Sequence, residues 1–83
     1  MNYSIKSVKA LENYKLQLTF ETGERKVYDM KPHINGGIFE ELKDENLFKK
    51  VRVSFDAVEW ENGADFDPEV LYQDSQSIRE TVK

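Results

Sequence analysis

Three acids at alternating positions, Asp65, Asp67 and Glu69, have the spacing with which a calcium-binding loop opens. Such a loop also needs glycine at its sixth position, for a sharp turn, and a bidentate Glu at its twelfth. Counted from Asp65, those positions hold Val70 and Gln76. A helix start accounts for the same residues. Asp67 stands where an N-cap carboxylate accepts from free backbone N–H groups of the first turn. Pro68 follows at the first helical position, and Glu69 suits the positive end of the helix dipole. Val70, Leu71 and Tyr72 then supply apolar bulk to dock the helix. The sharper alternative is a small metal-dependent enzyme using Asp65, Asp67 and Glu69.

Other chemistry finds less support. His33 is the single histidine, and there is no cysteine. Histidine pairs, two-histidine metal sites and thiolate metal sites are therefore excluded within one chain. With Lys31, Pro32 and Asn35 around it, His33 reads as an exposed loop residue. Gly36-Gly37 lacks the Lys-Ser/Thr of a phosphate loop. Asp56, Glu59 and Glu61 are numerous enough for paired-carboxylate catalysis but read as solvated surface. Trp60, Phe66 and Tyr72 could stack a peptide or a base. Packing under the last helix is the plainer use of aromatic residues in a small domain. No catalytic, metal or cofactor residue is assigned, and no cofactor is expected. Trp60, Asp65, Asp67 and Tyr72 remain the binding candidates.

The elements that must position these residues follow from pattern. The 83 residues suffice for one domain, with 39% apolar and 34% charged residues. The net charge of −4 disfavours binding to a phosphate backbone. No stretch approaches the ~18 apolar residues of a membrane span. A soluble, cytoplasmic protein without membrane contact is the expectation.

Tyr3 to Leu11 reads as a strand whose Ile5 and Val8 conflict in parity, which a bulge, or an edge strand with both faces partly covered, would reconcile. Glu12-Asn13 turns the chain. Tyr14, Leu16, Leu18 and Phe20 then alternate with Lys15, Gln17 and Thr19, the clearest strand of the sequence, with the second set exposed. Around Gly23, a two-residue turn would set Val27 opposite Leu18. A three-residue loop would set Tyr28 opposite Leu16 and carry Tyr28 and Met30 inside, which buries more apolar surface and is favoured. Pro32 and Gly36-Gly37 break the pattern. Ile38, Phe39 and Leu42 fit one short helical face, and Asp44 caps a second carrying Leu47 and Phe48 inward. Val51, Val53 and Phe55 alternate as a further strand, Asp56-Ala57 turns it, and Val58 to Trp60 returns. Asn62-Gly63 turns again before a brief extended piece, Ala64 to Phe66, and the helix from Pro68 to about Asp74.

The order predicts an α+β domain with a small, mainly antiparallel sheet of about five strands. Two short helical turns lie in the crossover and one helix at the C-terminal end. Residues 3–75 form this single domain, and 76–83 a polar tail that frays. A homodimer is an expectation, with the strand Tyr3–Leu11 as the pairing edge.

The segments Leu16–Phe20, Thr22-Gly23-Glu24 and Val27-Tyr28-Asp29, then Pro32, Gly37-Ile38-Phe39, Leu42, Phe48 and Val51, resemble a small bacterial family, domain of unknown function 2442. The tail from Trp60 through Asn62-Gly63 and Asp65-x-Asp67-Pro68-Glu69-x-Leu71-Tyr72 is the most specific part. The resemblance implies an α+β domain, no established enzymatic activity and no catalytic residues to carry over. Some members are fused to a repressor-like helix-turn-helix. Many are encoded beside another small protein, domain of unknown function 4160, an arrangement that implies one half of a toxin–antitoxin-like pair. No helix-turn-helix is read in this chain, so direct nucleic-acid binding is not expected. The expected function is a non-catalytic protein-interaction or regulatory module with a protein partner.

Overall fold

Alternation of apolar and polar side chains sets the first three strands, and loop length sets their register. The structure, a computed structural model, describes residues 3–77. β1 (Ile5–Leu11), β2 (Lys15–Phe20) and β3 (Arg25–Asp29) form an antiparallel meander. Register shifts between Ile5 and Ser7, so of the two ways to reconcile the parity of Ile5 and Val8 the bulge is the one present. Ile5 is buried, and Val8 packs against the core from a half-buried position. Leu16, Leu18 and Phe20 are fully buried; Lys15 is exposed, while Gln17 and Thr19 are half-buried rather than exposed.

The β2–β3 loop is the three-residue one. The Phe20 N–H donates to the Glu24 carbonyl at 2.9 Å, and Gly23 takes a φ of 93° that favours glycine. Leu16 therefore opposes Tyr28, and Tyr28 and Met30 are buried. The same parity sends Lys26 inward, opposite Leu18 and only 8% exposed.

The crossover is built from tight turns. Gly37–Lys43 is 3₁₀ helix, ending at α1 (Glu45–Phe48), whose Asn46 N–H donates to the Asp44 carboxylate at 2.9 Å. With about three residues per turn, Phe39 and Leu42 fall in one line and Ile38 turns aside. The single inward face expected for Ile38, Phe39 and Leu42 is corrected accordingly: Leu42 is buried, Phe39 half-buried and Ile38 46% exposed.

β4 (Arg52–Ser54), β5 (Ala57–Glu59) and β6 (Asp65–Phe66) make a second antiparallel sheet. Ser54 pairs with Ala57, so the connection is the two residues Phe55-Asp56, at φ 51° and 67°. Two successive positive φ values suit a primed hairpin turn, whose twist matches that of the strands. This shifts the expected turn at Asp56-Ala57 by one residue. Phe55 leaves the strand, and its side chain is fully exposed instead of facing the core. At the next loop Gly63 has φ 94°, and the Trp60 N–H reaches the Ala64 carbonyl at 2.8 Å.

α2 (Pro68–Asp74) follows as read, and β7 (Gln76–Ser77) pairs with β3 at Val27 and Lys26. The sheet orders are β1-β2-β3-β7 and β4-β5-β6. The class is α+β, but one sheet of about five strands has become two small ones. Of the expected polar tail, Gln76 and Ser77 thus lie in this pair, and 78–83 lie outside the described residues. Beside the edge of β1 sits the β4–β5 hairpin, joined to it where the Ile5 N–H donates to the Asp56 carbonyl at 3.3 Å. One core, centred on Trp60, Phe20, Leu16, Leu18, Met30, Leu42, Val58 and Leu71, serves both sheets.

Leu18 is fully buried, and its truncation leaves a cavity that such a small core cannot close. Leu18→Ala is expected to cost about 2–5 kcal/mol, read as a lower urea midpoint. An unchanged midpoint would mean that this face carries no packing energy.

Candidate functional site

The acidic tail resolves into helix-start geometry. The Asp67 carboxylate accepts from the Glu69 N–H at 2.8 Å, and its carbonyl accepts from the Leu71 N–H at 3.1 Å. Asp65 lies on β6 opposite Glu59, whose own carboxylate is 3.7 Å from Arg52. Asp65, Asp67 and Glu69 are all exposed. Among the described residues no group of three His, Cys, Asp or Glu side chains is arranged to hold a metal ion.

The three candidate rings do not share a surface. Trp60 is buried, donates its indole N–H to the Phe48 carbonyl at 3.0 Å and stacks on the Phe48 ring at 5.9 Å. Phe66 packs against Tyr28, His33 and Phe39. Tyr72 sits between Phe20 and Tyr3, at 5.1 and 4.9 Å. Over its ring, 3.9 Å from the centroid, lies the Lys26 ammonium, which also donates to the Tyr72 carbonyl at 2.5 Å. The Tyr72 hydroxyl donates to Glu24 at 2.7 Å; that bond, then burial, raises its pKa. Trp60 and Tyr72 are thus structural members of two different contacts, and no stacking platform is formed by them.

His33 is exposed, as expected, yet held. Its Nε2 lies 2.8 Å from the Tyr28 hydroxyl, and its ring stacks on Tyr28 and meets Phe66 edge-on. Burial, followed by the charges of Asp74 and Asp29, raises the Tyr28 pKa, which favours the protonated phenol beside the His33 ring. Among the described residues, the contacts of the His33 ring are this hydrogen bond and packing against Tyr28 and Phe66.

Two features lay outside the sequence reading. One is the exposed Phe55 at its hairpin tip. The other is an open groove of about 400 Å³, lined by Ala10, Leu11, Tyr14 and Phe48 with Glu12, Asn13, Glu45 and Lys49 on its walls. The β1–β2 turn forms one wall, with Asn13 and Tyr14 at φ 63° and 60°. Packing holds that strained turn: the Tyr14 ring meets Phe48 at 5.3 Å and its hydroxyl donates to the Lys43 carbonyl. No glycine or Asn-Gly pair marks the Phe55 turn, so alternation was the available signal, and it pointed inward.

A family model described as "Protein of unknown function (DUF2442)" matches residues 5–77. Comparison with curated proteins and with solved structures finds no match.

Two outcomes follow from this geometry. Asp67→Ala should cost about 0.5–2 kcal/mol and Asp67→Ser little, since serine keeps an acceptor for the Glu69 N–H. Melts of the parent and both variants should coincide with and without calcium or magnesium. A parent melting temperature that rises with metal, and no longer rises in Asp67→Ser, would restore the ligand reading. The second outcome concerns alkaline pH. Because the folded pKa of Tyr28 lies above its unfolded value, its contribution is complete below the unfolded pKa. It is lost as pH rises through the folded one. Tyr28→Phe should therefore lose less stability than the parent on passing above the ordinary phenol pKa. Equal alkaline losses in both proteins would contradict this.

Proposed function

The chain belongs to the DUF2442 family, and we propose that it is a non-catalytic protein-interaction or regulatory module that docks through Phe55. The observation that carries this reading is the contrast between two strained aromatic residues. A bulky side chain at positive φ costs of order 1 kcal/mol. At Tyr14 a ring contact and a hydroxyl bond offset that cost within the fold. At Phe55 the side chain is fully exposed, so the fold draws no packing from it. Strain of this kind gathers where a surface meets a partner, and exposed aromatic anchors supply much of the energy of protein interfaces. A two-residue turn also holds the ring outward with little backbone freedom, which lowers the ordering cost of docking.

The partner chemistry that suits this anchor is a protein pocket that accepts an aromatic ring. Asp56 beside it and the net charge of −4 oppose a phosphate backbone. Among the described residues no helix is long and apolar enough to cross a membrane. A bacterial cytoplasm, and membership in a toxin–antitoxin-like pair, are the setting proposed from the family resemblance.

A photo-crosslinking phenylalanine analogue at position 55 tests the reading in the source cell. A discrete protein adduct is expected from position 55 and none from the exposed loop position Glu21. The same diffuse pattern from both positions would defeat it.

A further inference from the structure

Phe55 and the open groove occupy opposite ends of one seam. The groove holds Ala10 and Leu11 at one end of β1, together with Phe48 and Lys49, from which the chain enters β4. The Phe55 turn lies at the other end, where the Ile5 N–H meets the Asp56 carbonyl. A seven-residue strand spans about 20 Å, so knob and groove on one molecule are too far apart to meet. A two-fold axis through the middle of the seam would bring each knob to the other copy's groove. Such an interface closes on itself. Resting on the docking reading of Phe55, we propose that its occupant is a second copy of this chain, each Phe55 seated in its partner's groove.

The charges agree with that pairing. Lys6 and Asp56 stand at the knob end, Lys6 next to the bonded Ile5. Glu12, Glu45 and Lys49 line the groove. The axis sets Lys6 of β1 towards Glu12, just past the other end of β1, and Asp56 towards Lys49, just before β4, opposite signs in each case. Size agrees as well. An aromatic side chain buries roughly 150–250 Å², and the smaller exposed wall of the groove loses part of its own area. Two such contacts remove roughly 300–700 Å², and the seam between them adds to it. That lies below the standard size of stable interfaces, which suits a weak, reversible dimer.

Sedimentation equilibrium across a wide concentration range tests this with three proteins: the parent, Phe55→Asp without the knob, and Glu45→Trp with the groove plugged from an exposed position. Circular dichroism checks that each is folded. The parent should dimerise. Each variant alone should dissociate at least about 30-fold more readily. An equimolar mixture of the two variants should recover heterodimer, because one intact knob-and-groove contact remains between them. A parent that stays monomeric at millimolar concentration would overturn the proposal, as would variants that dimerise like the parent. Mass that grows without limit would do so too, by indicating head-to-tail chains. A monomer whose position 55 still crosslinks to a different protein would refute the dimer and leave the docking function standing.

Discussion

A lysine on the core face of the central hairpin constrains the rest of this fold. The three-residue loop places Leu16 opposite Tyr28, and strand parity then puts Lys26 inside, opposite Leu18. Slipping the register by one residue would free Lys26 but turn Tyr28 and Met30 out to water. The register that buries more apolar surface therefore brings a charge with it, and a buried ammonium needs partners. α2 provides them through the Tyr72 carbonyl and ring, while the Tyr72 hydroxyl reaches back to Glu24 beside the same loop. The Asp67 cap and Pro68 start that helix where its fifth residue meets the lysine. The specific tail from Trp60 to Tyr72 thus completes the core begun by the first hairpin.

Trp60 performs the matching task for the second sheet. β4, β5 and β6 contribute eight paired-strand residues between them, too few to stand alone. Burial of Val58 and Trp60, with the indole bonded to the carbonyl of Phe48, ties this sheet to α1 and the common core. Among the described residues, no buried side-chain nitrogen or oxygen lacks a partner. Against that background of satisfied groups, Phe55 is the exception: it combines backbone strain with a ring left in water.

Legibility in the sequence tracked how local the deciding physics was. The β2 alternation, the Gly23 loop, the Asp44 and Asp67 caps and the Asn62-Gly63 turn were readable because each is settled within a few neighbours. The bulge between Ile5 and Ser7 was one of two ways to reconcile the parity of Ile5 and Val8, and register took it. The partner of Lys26 was not readable, because Tyr72 lies 46 residues away. Ile38 was misplaced because its segment winds as 3₁₀ rather than α-helix, which moves the inward line by one residue. Phe55 was misplaced for a subtler reason. Val51, Val53 and Phe55 keep perfect alternation, yet the pairing of Ser54 with Ala57 ends the strand before Phe55. For the candidate site, the cap geometry of Asp67 and the core packing of Trp60 were legible as the plainer readings, but the sequence held no sign of the groove, whose walls come from residues 10–14 and 45–49.

Retention of Phe55 for contact with another molecule, at a cost to the isolated fold, is most directly tested by measuring folding stability for all substitutions at position 55. Phe48 and Trp60 serve as internal references. If Phe55 serves binding, Asn and Gly, which adopt positive φ with little strain, should match or exceed phenylalanine at position 55. At positions 48 and 60 the native residue should rank first. A ranking in which phenylalanine is also the most stabilising residue at position 55 would contradict that reading, because the ring would then be working for the fold.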